Sequence, residues 1–226
     1  MSSALKGGLA LGGVGAAAGG GYLIHSSLPK EEPKTSLASK LEEDKFTPLN
    51  LDTSKTEDQN SPWKKILSSY KSLTASKTEF KIGNLSLKSD DNEGINQLKD
   101  ACSDLLKTLE DSSNFASNYK LASRWCVEPI SISSLLSKRG TPHLNTTESE
   151  DTEAWTALAK KYEEHKKTNK ELMNGVSWTE VSNTDYTANI SQIKSACNAR
   201  KDKSSHDDEA FEKHLREVQT WCTAIK

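Results

Sequence analysis

The feature that most restricts how this chain can fold is a set of rare residues that occurs twice in the same order. Trp63 and Tyr70 stand seven apart with Ile66 between them, and Trp155, Leu158 and Tyr162 repeat that pattern 92 positions later. Gly83 and Gly175 keep the offset of 92. Ile95-Asn96-Gln97-Leu98-Lys99-Asp100-Ala101-Cys102 matches Ile190-Ser191-Gln192-Ile193-Lys194-Ser195-Ala196-Cys197 at 95, and Trp125-Cys126 matches Trp221-Cys222 at 96. Shared order with small drift identifies a tandem duplication of one small module, and internal repeats of this kind decide the architecture before any other motif.

Each copy reads as helical. Ile95, Leu98, Cys102, Leu105 and Leu109 form one apolar stripe at helical spacing, and Asp90, Asp91 and Asn92 are placed to cap its start. Phe115, Tyr119, Ala122 and Cys126 continue the period after a polar turn at Asp111–Asn114; Phe211, Leu215, Val218 and Cys222 are their counterparts. Strand signals are sparse, with only Glu79–Leu87 and Gly175–Val181 suited to short extended stretches. The predicted unit is a helix, a glycine-containing connector and a helical hairpin, with Trp63, Trp125, Trp155 and Trp221 in its core. Trp178 has no counterpart and is expected to be more exposed.

The expected fold class is all-α: an N-terminal membrane helix, a disordered tether, then the duplicated module packed as a bundle. No charge occurs from Gly7 to Ile24, where eight of eighteen residues are glycine and four alanine. At helical rise this segment is about 27 Å long, just under the roughly 30 Å of a bilayer core. Residues 1–28 are therefore assigned as a membrane anchor or signal, with the membrane as partner through this segment. Small residues four apart, such as Gly8 and Gly12, suit close approach of two such helices, so self-association is compatible with them. A cleaved signal and a flexible Gly/Ala tail fit the same residues. Lys6 before the segment and the balanced charges after it place the bulk of the chain outside the cell. Residues 29–61, rich in Lys, Glu, Ser, Thr and Asp with Phe46 as sole aromatic, read as a disordered polar linker. Repeat units are expected at 62–140 and 154–226, with a polar linker at 141–153. Within the first of these, Pro129 introduces a short helix carrying Ile132, Leu135 and Leu136, ended by Gly140.

The cysteines fall one pair to a unit. In an antiparallel hairpin turning near Asp111–Asn114, Cys102 and Cys126 lie at similar distances from the turn, so disulfides Cys102–Cys126 and Cys197–Cys222 are expected on an exported domain. Burial as free thiols at apolar positions is the alternative. Spacings of 24 and 25 residues contain no metal-ligand pattern. The histidines at 25, 143, 165, 206 and 214 form no catalytic or metal motif, and His206-Asp207-Asp208-Glu209 reads as a loop leading into the next helix. Glycines outside the anchor (Gly83, Gly94, Gly140, Gly175) make no phosphate-binding loop. From residue 62 onward 24 basic residues balance 24 acidic ones, which argues against a nucleic-acid partner.

The stretch Arg124-Trp125-Cys126-Val127-Glu128-Pro129-Ile130-Ser131-Ile132, together with the small-residue amino-terminal segment after Lys6, resembles the large paralogous families of uncharacterised proteins of haemotropic mycoplasmas. The resemblance implies a surface location in a wall-less bacterium and carries over no catalytic residue. The reading is a membrane-anchored surface protein, without cofactor or metal, acting on a protein partner through an interaction or antigen role. An envelope hydrolase with dispersed active-site residues and a self-associating structural envelope protein are the alternatives.

Overall fold

Ser36 opens the first helix: its hydroxyl accepts the Ser39 N–H at 3.3 Å, and α1 (Leu37–Glu43) buries Leu37 and Leu41 completely. The computed structural model describes residues 34–147 and 150–225. Among them it is all-helical, with eight α-helices, one 3-10 turn at Thr78–Phe80 and isolated bridges in place of strands. The remaining helices are α2 (Pro62–Ser76), α3 (Asp91–Leu106), α4 (Phe115–Trp125), α5 (Ile132–Lys138), α6 (Thr152–Lys167), α7 (Thr187–Lys201) and α8 (Phe211–Trp221). The anchor segment Gly7–Ile24 lies outside the described residues, and no described helix is long and apolar enough to cross a membrane.

Segment 34–61 is not a disordered linker. The two leucines of α1 sit at i and i+4, so a single turn places both on one face, and Phe46 is buried behind them. The helix ends in a Schellman motif: the Phe46 N–H reaches the Leu41 carbonyl at 2.9 Å and the Lys45 N–H reaches that of Glu42 at 3.0 Å. Lys45 occupies the left-handed position at φ 68°. α1 packs on α3 and α4, which gives the polar segment the apolar partner that its composition alone could not supply.

A second such helix follows. Ser131 caps α5 through the Ser134 N–H, and Ile132 and Leu136 are fully buried at the same spacing. The Thr141 N–H bonds the Leu136 carbonyl and Gly140 sits at φ 71°. Sequence assigned α5 to the first unit; instead it packs on α7 and α8, as α1 packs on α3 and α4. Residues 34–129 and 130–225 thus each hold four α-helices, α1 to α4 and α5 to α8.

The backbone bonds that lock these helices correspond as well. The Leu37 N–H donates to Thr108 O, and the Ile132 N–H to Lys203 O. Glu110 N–H bonds Thr35 O, and Ser205 N–H bonds Ile130 O. Leu49 N–H bonds Cys126 O, and Leu144 N–H bonds Cys222 O. The buried tryptophans follow suit: Trp63 Nε1 donates to Asn50 O at 3.0 Å, and Trp155 Nε1 to Asn145 O at 2.9 Å. Leu144 and Asn145 thus belong to the second half's packing and not to a linker between modules; residues 148 and 149 of the expected linker lie outside the described set. Trp63 stands 13 positions after its acceptor and Trp155 only 10 after its own, which accounts for the fall in sequence offset from 95 to 92.

Each half closes over its own disulfide. Cys102–Cys126 joins the end of α4 to α3, and Cys197–Cys222 does the same for α8 and α7, with all four residues buried. Tyr70 and Tyr162 stand edge-on to Trp125 and Trp221, with ring centroids 5.1 and 4.8 Å apart. Asp90 caps α3, accepting the Asn92 and Glu93 N–H groups at 2.9 Å each. Three sequence expectations change. α3 ends at Leu106, so Leu109 leaves the apolar stripe and is 39% exposed. Residues 79–87 and 175–181 form no strand: a 3-10 turn ends at Phe80, turns fall at Gly83 and Gly175 with positive φ, and the residues after them carry no regular secondary structure. Trp178 is not a free surface ring: it stacks on Tyr162 with centroids 5.2 Å apart, and its buried Nε1 has no hydrogen-bond partner among the described residues.

Candidate functional site

The two halves meet where α4 faces the start of α8, and Arg124 makes the junction. Helical spacing turns Trp125 and Ala122 into the core of the first half, while Lys120, Leu121 and Arg124 are directed toward the second. The Arg124 guanidinium is 2% exposed; it lies 4.5 Å over the Phe80 ring and donates Nη1–H to Asp208 O at 2.9 Å. Its Nη2 stands 3.5 Å from the Glu212 carboxylate. Lys77 adds a 2.9 Å ion pair to Glu209 beside it. Arginine suits this position because its planar head can stack on an aromatic ring and still donate in several directions.

A second contact joins the halves at the other end of the junction. Arg139, at the close of α5, donates Nε–H to Asp44 O at 3.0 Å and lies over the Phe46 ring at 5.7 Å.

Between α4 and α8 the junction leaves a cleft of about 560 Å³. Phe80, Leu121, Ala116 and Ala210 supply apolar surface, and Lys120, Lys213 and Arg216 supply exposed cations. The acids around it are largely committed, Glu209 to Lys77 and Glu212 to Arg124. Glu217, outside this lining, is 4% exposed, with its carboxylate 2.6 Å from Arg200 Nε and 3.9 Å from Lys213. His206, half-buried near the same junction, has its imidazole pKa lowered by burial; Asp207 opposes that shift, whereas Lys65 and Arg124 reinforce it. The ring is therefore held neutral at pH 7.

The corresponding surface of the second half is different. By position Thr220 replaces Arg124, Asn169 replaces Lys77 and Leu172 replaces Phe80. There, Leu172, Thr220, His165 and Trp221 line a smaller hollow of about 240 Å³. The cation pair that receives the second half on the first is not repeated, so the chemistry of the internal junction belongs to that one boundary.

All four cysteines predicted to pair do so, within the core of each half and away from this cleft. The histidines do not converge: His143 bonds Leu144 O, His165 meets Trp221 edge-on at 4.9 Å, and His214 pairs with Asp208 at 2.7 Å. Ser204 and His206 share a 2.8 Å hydrogen bond, but they are two residues apart and line none of the clefts described above. Among the described residues no three His, Cys, Asp or Glu side chains are grouped to hold a metal ion. Sequence reasoning missed Arg124, Lys120, Lys213 and Arg216 as a group, since they come from two helices about 90 residues apart and no local motif unites them. No protein-family model, no curated protein and no solved structure matches this chain.

Proposed function

We propose that this is an exported, membrane-tethered binding protein without catalytic activity, built by duplication of one disulfide-closed four-helix module. The observation that carries the reading is the pair of buried disulfides at matching positions, each closing its own half. Disulfides of this kind persist in oxidising compartments and are rare where thiols are kept reduced. The duplication rests on the corresponding caps, backbone bonds and Trp/Tyr pairs, and it runs from Ser36 rather than from Pro62. The second copy begins at Ser131, directly after the first, with no linker between them. The uncharged Gly7–Ile24 segment supplies the tether, and the junction cleft supplies the binding surface.

Protease treatment of intact cells producing the chain, followed by a thiol count on the released material, tests the location. Release of fragments from residues 34–226 that show no free thiol until reduced is expected. Protection of that region, or four free thiols without reductant, would contradict export.

A further inference from the structure

We propose that the cleft between α4 and α8 binds an acidic peptide segment of a partner protein, one bulky apolar side chain entering between Phe80 and Leu121 while flanking carboxylates meet Lys120, Lys213 and Arg216. This rests on the reading of the chain as a binding protein and names the chemistry of its partner.

Charge complementarity selects the occupant. Among the described residues Lys120 and Arg216 make no ion pair and Lys213 pairs only with Glu217 at 3.9 Å, a carboxylate held more tightly by Arg200. Of the lining acids, Glu209 and Glu212 are already paired with Lys77 and Arg124, leaving Glu79 alone against three cations. A cationic partner would meet repulsion at this rim. The floor is a different surface: Phe80 is pinned beneath the Arg124 guanidinium, and Leu121 is half-buried beside it. At about 560 Å³ the space lies within the roughly 300–1,000 Å³ range of ligand sites, enough for one large side chain and its neighbours. A rim of cations around an apolar floor fits a mixed acidic and apolar segment better than a purely anionic ligand, whose binding would leave the floor wet.

The test uses the purified full chain in a zwitterionic detergent and fluorescein-labelled peptides read by anisotropy at low salt. The probes are Glu-Glu-Phe-Glu-Glu, the same peptide with Ser for Phe, and Lys-Lys-Phe-Lys-Lys; phosphatidylglycerol vesicles compete in a separate arm. Saturable binding of the first peptide is expected, weakened by salt because exposed charges are screened. The triple variant Lys120→Glu, Lys213→Glu, Arg216→Glu should raise its Kd by about tenfold or more, since each reversal converts an attraction at the rim into a repulsion. These side chains are exposed, and an unchanged far-UV spectrum and thiol count would verify the fold. The Ser peptide should bind more weakly than the Phe peptide. Absence of saturation, equal binding by the variant, equal binding of the lysine peptide, or displacement by the anionic vesicles would overturn the proposal, the last assigning the cations to a lipid surface. Because the assay is carried out on purified protein, its failure leaves the cell-surface result untouched, and failure of surface exposure leaves peptide binding standing.

Discussion

Replacing Leu37 and Leu41 together by alanine is expected to unfold the first half of the chain. Both side chains are fully buried, and together they make the apolar face by which α1 sits on α3 and α4. A single buried Leu→Ala change costs about 2–5 kcal/mol, through lost transfer energy and the cavity left behind. Two in one helix should cost about 4–10 kcal/mol, comparable to the entire stability of a small domain at about 5–15 kcal/mol. α1 also positions Phe46, and the helix cannot release its face without breaking the Leu37 N–H bond to Thr108 O. Hydrogen exchange resolved by peptide should show residues 34–129 losing protection while 130–225 keep most of theirs. The matched change Ile132→Ala with Leu136→Ala should produce the mirror pattern. A flexible tether at 34–61 would give no effect from the first pair.

Removing one disulfide should have the next largest effect, again confined to one half. Cys102 and Cys126 are separated by 24 residues and Cys197 and Cys222 by 25, so the chain-entropy model assigns each bond about 3 kcal/mol. The double change Cys102→Ala with Cys126→Ala should lower the denaturation midpoint of the first half and leave that of the second near its original value. Cys197→Ala with Cys222→Ala should do the reverse. Reductant added to the unaltered chain should destabilise both. A single shared transition that moves equally for either pair would mean that the halves fold as one unit across the Arg124 junction.

Much of the helical content was legible in the sequence, since Trp63 with Tyr70 and Ile95 to Cys102 carry long-range spacing that survives in the fold. The disulfide pairing followed from hairpin geometry. What stayed hidden was α1, together with the place of α5, a helix signalled by Ile132, Leu135 and Leu136 but assigned to the first unit. α1 has only seven residues, and its buried face consists of Leu37 and Leu41, too few for periodicity to stand out against polar neighbours. The cap that ends α5 uses Gly140, a visible signal, whereas α1 ends on Lys45, which adopts the left-handed conformation without glycine and so conceals the equivalence. The longer Asn50–Trp63 loop shifted the register as well, so that Ser36 to Asn50 failed to align with Ser131 to Asn145 under the offset of 92 set by the tryptophans. The cleft was invisible for another reason. It exists only because α4 meets the start of α8, and its cations come from helices that no sequence window contains together.

The module boundary at Ser131 has a direct test in two fragments of the second half, 128–226 and 154–226. The longer keeps α5, the Ile130 and Ser131 backbone partners of the 203–205 turn, and Leu144 with its bond to Cys222. The shorter starts inside α6 and exposes the faces of α7 and α8 that α5 covers. Under oxidising conditions 128–226 should form the Cys197–Cys222 bond and unfold cooperatively in urea, while 154–226 should show little exchange protection and no cooperative transition. Equal cooperativity in the two fragments would contradict a four-helix module beginning at Ser131.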